Sequence, residues 1–259
     1  MTLYHYTSLD NFFSIWKTKV LWFSYSKNTN DFFEREKNYV FGQETFTYKG
    51  KPLDRACFKG FKQSIGEELN RYRQVSFCLD YNRNMPGYAS PMMWGQYARS
   101  KDIKGIWQDG VCLALDSEKL ARPSALFFER RVNYSENVKP PYVRGIDFTR
   151  EDAAECFVIK NKYQLFFTKH RHWEHEREYR FVSKTAKDIG IANAIIGVYV
   201  LYTDDSVLDR IIEVVKNEKI INIVQTVGIK SLRLSADNLW YIKKTREMLR
   251  EINEGKIMH

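Results

Sequence analysis

The stretch at residues 168–181, "TKHRHWEHEREYRF", gathers three of the chain's five histidines, three glutamates and three arginines into fourteen positions. It can be a metal site, a strand that carries functional carboxylates, or a solvated charged face. Which of these holds depends on the partners that the rest of the chain supplies.

The metal reading rests on His170, His172 and His175, spaced H-x-H-x-x-H. On a strand, His170 and His172 share a face, and zinc accepts imidazole ligands. No HExxH pattern and no second ligand cluster accompany them, and Lys169 and Arg171 repel a cation, so no metal is expected. The strand reading is different. In an extended "HEREYRF", Glu176, Glu178 and Arg180 point to one side, while Tyr179 and Phe181 point to the other and can enter the core. Two carboxylates and a guanidinium then line one surface. The plainer alternative is a solvated edge with cross-strand ion pairs.

The chain has 259 residues, of which 44% are hydrophobic, enough for one sizeable core. Seventeen Phe, 16 Tyr and 6 Trp argue against disorder. The net charge of +9 favours an anionic partner: nucleic acid, a nucleotide or an acidic protein. Cys57, Cys78, Cys112 and Cys156 form no CxxC pair, which argues against a zinc ribbon. The start of the chain lacks a signal-peptide pattern and no apolar run is long enough to span a bilayer. The expectation is a reduced, cytoplasmic protein with buried thiols and no membrane partner.

Working outward, "MTLYHYTS" reads as a strand and "SLDNFFSIWKTK" as a helix capped by Ser8 or Asp10. "VLWFSYS" reads as a strand, followed by a polar turn that contains Asn30 and Asp31. Residues 40–75 read as mostly helical and basic, with a turn at "KGKP". "QVSFCLD", "DGVCLALD" and "FFERRVNYS" read as strands, and "MMWGQYARS" as a short helix that sets Trp94 and Tyr97 on one side. "TREDAAECFVIKN" reads as a helix capped by Thr149, with Asp152 in its first turn. "YQLFFTK" and "REYRFVS" read as neighbouring strands, and "AIIGVYVLYT" as a buried one. A helix near 205–218, a strand at "INIVQTV" and a charged helix at about 241–255 complete the pattern. Strands dispersed among helices without βαβα regularity predict an α+β fold in a single domain over 1–259, with a helical insertion at about 35–75.

Taken together, "YHYTS", "LWFSYSKNTNDFFE", "SFCLD", "MMWGQYA", "DGVCLAL", "RRVNYS" and "WEHEREYRF" resemble a widespread bacterial domain family of unknown function, from Leu3 to about Thr203. Phe32 stands where that family usually has proline, Gln96 where it usually has histidine, and residues 82–90 form a longer insertion. That family in turn resembles the ADP-ribosyltransferase fold. The resemblance implies a mixed, mainly antiparallel split sheet with surrounding helices. It implies NAD as substrate, with His5 on the ribose hydroxyls, flanked by Tyr6 and Thr7. Ser24 then sits on the second strand, with Asn30 and Asp31 in the turn that follows, and Arg180 and other basic residues near the pyrophosphate. Tyr97 or Tyr25 stacks on nicotinamide, and Glu178 or Glu176 is the catalytic carboxylate.

Such an enzyme is a toxin or phage-defence effector, and a toxin implies an antitoxin protein. The charge favours nucleic acid over protein as acceptor. Two other functions fit the same residues. One is a non-catalytic nucleic-acid-binding module, for which "ERRVNYSENVKPPYVR" interleaves aromatic and basic side chains as single-strand binding requires. The other is NAD hydrolysis, with water as acceptor.

Overall fold

The computed structural model describes residues 1–25, 47–48, 51–52, 55–101, 105, 107–123, 127–138, 141, 150–201, 205–216, 220–225 and 230–233. In chain order the elements are β1 (Thr2–Thr7), α1 (Leu9–Thr18), β2 (Val20–Trp22), β3 (Ser24–Tyr25), β4 (Thr47–Tyr48), β5 (Lys51–Pro52), α2 (Arg55–Leu69) and β6 (Arg73–Cys78). Next come α3 (Pro91–Tyr97), β7 (Arg99–Lys101), β8 (Trp107–Asp109), β9 (Val111–Asp116), β10 (Phe127–Arg131) and β11 (Asn133–Ser135). The remainder are α4 (Ala153–Lys160), α5 (Lys162–Phe166), β12 (Thr168–His170), β13 (Glu178–Ser183), β14 (Asp188–Gly190), β15 (Ile195–Leu201), α6 (Asp205–Val215), β16 (Ile221–Gln225) and β17 (Lys230–Arg233). The class is mixed α+β with mainly antiparallel pairing.

The chain forms two compact units, each assembled from separated segments. The first comprises Met1–Val20, Cys78–Leu120 and Gly190–His259. Its strands run β1–β9–β15–β16–β17, with β15 and β16 parallel and the other pairs antiparallel. Helix α1 starts where the Ser8 hydroxyl accepts a hydrogen bond from the Asn11 amide, and it stops where Lys19 turns left-handed at φ 55°. Leu9, Phe12 and Ile15 are its buried positions, and Trp16 Nε1 donates to the Val214 carbonyl of α6 at 3.0 Å. Tyr4, Tyr6, Met93, Trp94 and Cys112 form an aromatic core with the partly buried Tyr88, Tyr97 and Tyr199. The 82–90 loop belongs to that core. Tyr6 donates its hydroxyl to the Gly87 carbonyl at 2.6 Å, and a Cβ at Gly87 would lie 2.2 Å from the Tyr4 ring.

The second unit comprises Leu21–Phe77 and Ala121–Ile189. Strand β13 lies between β10 and β6, and β3 pairs β6. Phe77, Phe127 and Phe181 pack together with ring centroids 5.1–5.2 Å apart. Val182, on the opposite face, joins a cluster of Phe61, Ile65, Leu69, Tyr72, Phe157 and Phe166, which fastens α2, α4 and α5 over the sheet. Lys184 lies 2.7 Å from Glu68 of α2 and 2.8 Å from Glu155 of α4.

Several elements differ from the sequence reading. "VLWFSYS" divides into β2 and β3, and "FFERRVNYS" into β10 and β11. Residues 163–166, expected in a strand, belong to helix α5, because Leu165, Phe166 and Phe167 are buried consecutively rather than alternately. The strand that follows, β12, pairs parallel with β11 and not with β13. Asp152 is the N-cap of α4 rather than a first-turn residue. Strands β4 and β5, on either side of the expected turn, pair antiparallel, and Lys49 and Gly50 lie outside the described residues. Thr149 and the expected helix at 241–255 lie outside the described residues. Cys78 and Cys112 are buried thiols, whereas Cys156 is exposed. No helix among the described residues is long and apolar enough to cross a membrane.

Candidate functional site

The opening stretch becomes three pieces: strand β12, a 3-10 turn over Arg171–Glu176, and strand β13. His170 begins the turn, its Nδ1 accepting from the His172 amide at 3.3 Å. Arg177 ends it in the left-handed region at φ 47°. Glu176 therefore precedes the strand instead of lying on it, and β13 starts at Glu178. His172 is exposed, while His170 and His175 are half-buried. Among the described residues, no group of three or more His, Cys, Asp or Glu side chains could hold a metal ion.

Glu178 is anchored by backbone and side chain alike. Its amide donates to the Tyr134 hydroxyl and its carbonyl accepts from the Val132 amide, both at 2.9 Å. Arg180, two residues along the same face, grips the carboxylate with two donors, Nε to Oε1 at 2.6 Å and Nη2 to Oε2 at 2.7 Å. The remaining Arg180 nitrogen, Nη1, donates to the Phe166 carbonyl at the end of α5, 2.7 Å away. Lys169 Nζ lies 3.0 Å from Glu178 Oε2 and donates to Glu176 Oε2 at 2.6 Å. The Ser76 hydroxyl of β6 donates to Glu178 Oε1.

Two carboxylates and two cations thus share one enclosure. Glu176 and Glu178 are each 3% exposed, Lys169 6% and Arg180 1%. Charges this deeply buried persist only when they are paired and hydrogen-bonded. Burial by itself raises the Glu178 carboxyl. The charges of Arg180 and Lys169 and the hydrogen bonds from Arg180 and Ser76 outweigh it, and hold the group well below the usual carboxylate range. Burial, followed by the Glu178 charge, raises the Tyr134 phenol well above its ordinary value. The site therefore maintains a fixed, ionised carboxylate out of contact with bulk water. Such a group can stabilise a developing positive charge, although its two oxygens are already engaged.

Sequence reasoning grouped Glu176, Glu178 and Arg180, and the structure brings these three together. It missed Lys169, Ser76 and Tyr134, which complete the cluster. Ser76 lies in the "SFC" segment, which had been noted without a role. Ser24 is exposed and pairs with Gln74 on β6. Directly paired residues, and residues two apart on a strand, share a sheet face, so Ser24 lies on the face that carries Ser76 and Glu178.

Of the other expected residues, His5, Tyr6, Thr7 and Tyr97 are in the first unit. His5, Tyr6 and Thr7 lie on β1 opposite Leu113, Cys112 and Val111. His5 and Thr7 share one face, and Tyr6 faces the other way into the aromatic core, where burial first and then neighbouring thiols raise its phenol far above the ordinary range. Tyr97 packs against the same core, and Trp94, buried there, donates Nε1 to the Tyr88 carbonyl at 2.8 Å. Tyr25, the alternative stacking ring, belongs to the second unit, with the Arg73 guanidinium 4.6 Å from its centroid. Asn30 and Asp31 lie outside the described residues.

No curated protein and no solved structure matches this chain. Residues 93–181 match the model of a family described as a protein of unknown function (DUF2971). The match opens inside the "MMWGQYA" segment and closes on "EYRF", so it spans Tyr134, Lys169, Glu176, Glu178 and Arg180 but neither β1 nor Ser76.

Proposed function

We propose that this protein is an ADP-ribosyltransferase that consumes NAD and modifies nucleic acid, as a toxin or phage-defence effector. The observation that supports it is Glu178, an ionised carboxylate at the start of a strand, bonded by a serine from the adjoining strand and flanked by cations. Transfer of ADP-ribose breaks the bond between ribose C1′ and nicotinamide, which leaves with the electron pair. The transition state is oxocarbenium-like, and a fixed carboxylate at the 2′-hydroxyl stabilises its positive charge. In this reading the ribose hydroxyl replaces Ser76 Oγ as the donor to Glu178. A nucleophilic atom of the acceptor bonds to C1′, and its proton passes through Glu176 to solvent. Arg180 holds Glu178 in position, and the chain's excess of basic residues draws in the pyrophosphate and the acceptor. A toxin of this kind is held in check by an antitoxin protein.

A second reading has its own support. Both Glu178 oxygens are engaged and the side chain is 3% exposed. On that reading the cluster is architecture, and the protein binds nucleic acid without chemistry.

The test incubates purified protein with labelled NAD and cell lysate, then splits the products between protease and nuclease. Macromolecular label removed only by nuclease supports the proposal, and protease-sensitive label moves the acceptor to protein. Loss of NAD without macromolecular label identifies a hydrolase. Neither label nor NAD loss from the folded protein refutes the enzyme. Glu178→Gln leaves a buried cation in excess, so the charge-balanced pair Glu178→Gln, Lys169→Met is tested beside it. A folded variant of either kind that retains activity removes Glu178 from the chemistry.

A further inference from the structure

The ribbon of β11 and β12 has two faces. Tyr134 and Lys169 are paired across it and face Glu178. Asn133 and Thr168, one position out of step, pair on the other face with Ser135 beyond them. That face forms a wall of an open cleft of about 480 Å³, completed by Arg130, Gln164 and Tyr163 among others. The volume is within the range of sites that hold ligands of nucleotide size.

The lining has a consistent chemistry. Asn133 and Gln164 bring amides to the cleft, and the Ser135 and Thr168 hydroxyls, which donate to the Asn137 and Tyr163 carbonyls, bring acceptor oxygens, so the lining has the groups that meet the edges of unpaired bases. Tyr163 leaves 51% of its surface in solvent, so a large part of its ring is open to a ligand. The Arg130 guanidinium lies 4.8 Å from its centroid and the Lys162 ammonium 5.2 Å. No carboxylate is among the described lining residues. Arg130, Asn133 and Ser135 are the front half of "ERRVNYSENVKPPYVR", the segment whose composition suits single-strand binding.

We infer that this cleft is where the protein grips single-stranded nucleic acid, with Tyr163 as the stacking platform and Arg130 as the phosphate contact. An aromatic face beside cations, with amides in reach and no carboxylate among the described lining residues, is how sequence-tolerant single-strand sites are built. A duplex fits this chemistry poorly, because its bases are stacked on one another and unavailable to Tyr163. The inference rests on nucleic acid as the partner in the proposed function, and not on the transfer chemistry.

The test is fluorescence anisotropy with short labelled oligouridine, oligothymidine and a duplex of the same length, across a salt series. Tyr163→Ala should weaken single-strand binding roughly five- to a hundredfold, the span of one base stack. Tyr163→Phe, which keeps the ring, should stay within about twofold of the parent. Arg130→Gln should lower the slope of log affinity against log salt by about 0.7, the counterion release of one phosphate contact on a single strand, whereas Tyr163→Ala should leave that slope unchanged. Preference for either oligouridine or oligothymidine supports the cleft and ranks the two strands, which differ in the 2′-hydroxyl and in the C5-methyl. Three results overturn the inference. Parent-like binding by folded Tyr163→Ala and Arg130→Gln removes the cleft but leaves the nucleic-acid partner. Tighter binding of duplex removes the single-strand assignment. No binding by the folded parent removes both the cleft and the nucleic-acid partner, while the NAD assay still decides the enzyme.

Discussion

Removing Lys169 tests whether the buried cluster is a balanced set of charges. Lys169 Nζ is 2.6 Å from Glu176 and 3.0 Å from Glu178, in an enclosure where it is 6% exposed. Coulomb's law at an effective dielectric of about 20 gives about 5 kcal/mol for one pair near 3 Å, before desolvation is subtracted. Lys169→Met leaves Glu176 and Glu178 with Arg180 as the only cation among these four residues. The expected loss is about 3–5 kcal/mol, a large share of a typical domain's stability of about 5–15 kcal/mol. Adding Glu176→Gln restores neutrality, because Glu178 and Arg180 still pair. The double variant should therefore lose less than the sum of the two single losses, with a coupling of about 2 kcal/mol. Urea unfolding of the parent, both singles and the double provides the measurement. Trp173 fluorescence reports on the site directly, since the Lys169 ammonium lies 5.3 Å from its ring. If the double variant loses the sum of the two single losses, within about 0.5 kcal/mol, the cluster is not an interdependent set and the reasoning fails.

Three further outcomes follow from the same geometry. The Glu178 carboxyl is held low in the folded protein, so its contribution to stability is complete above the ordinary glutamate value of about 4.3 and is lost as pH falls below it toward the folded value. Across that interval the urea midpoint of the parent should fall more steeply than that of Glu178→Gln, Lys169→Met, and parallel declines would contradict the pairing. Gly110→Ala places a Cβ 2.1 Å from the Thr7 carbonyl oxygen and 2.7 Å from that of Ala98, and should cost about 1–3 kcal/mol or more; a parent-like melting temperature would count against this packing. The Tyr72 hydroxyl is buried and has no hydrogen-bond partner among the described residues, so Tyr72→Phe should be neutral or stabilising by up to about 1 kcal/mol, and a clear destabilisation would reveal a partner.

What could be read from the sequence depended on how local the cause was. Helix α1 was legible because its cap, its apolar spacing and its end all lie within a dozen residues. Strands β9 and β15 were legible from nearly continuous apolar runs, and β6 from Val75 and Phe77 at alternate positions. Residues 163–167 were not, because a short aromatic run satisfies strand and helix patterns alike and only tertiary burial separates them. The pairing of Glu176, Glu178 and Arg180 followed from alternation, yet alternation gave the wrong backbone for Glu176. Arg177 turns left-handed between the carboxylates, and arginine carries no signal for that conformation. Lys169 was read as repelling a cation, whereas its role is to neutralise two carboxylates. Ser76 and Tyr134 come from distant parts of the chain, and no spacing rule connects them to Glu178.

The interleaving of the two units bears on the order in which the chain can fold. All of the second unit, including the ion cluster, is contained within residues 21–189. A ribosome that has released residue 189 has supplied every residue the cluster needs. The first unit must wait longer, for β1 pairs β9 through Thr2 and Asp116, and β9 in turn needs β15 at residues 195–201. Strand β1 gains β9 and the Tyr88 and Trp94 rings by residue 116, but the far edge of β9 stays unpaired until residues 195–201 are made. Non-local pairing of this kind is slow, and the interval exposes an apolar strand to association with other chains. Truncation after residue 189 should accordingly leave a product that aggregates through the unpaired edge of β9 at Val111–Asp116, even though the carboxylates and cations of the buried cluster are all present in it.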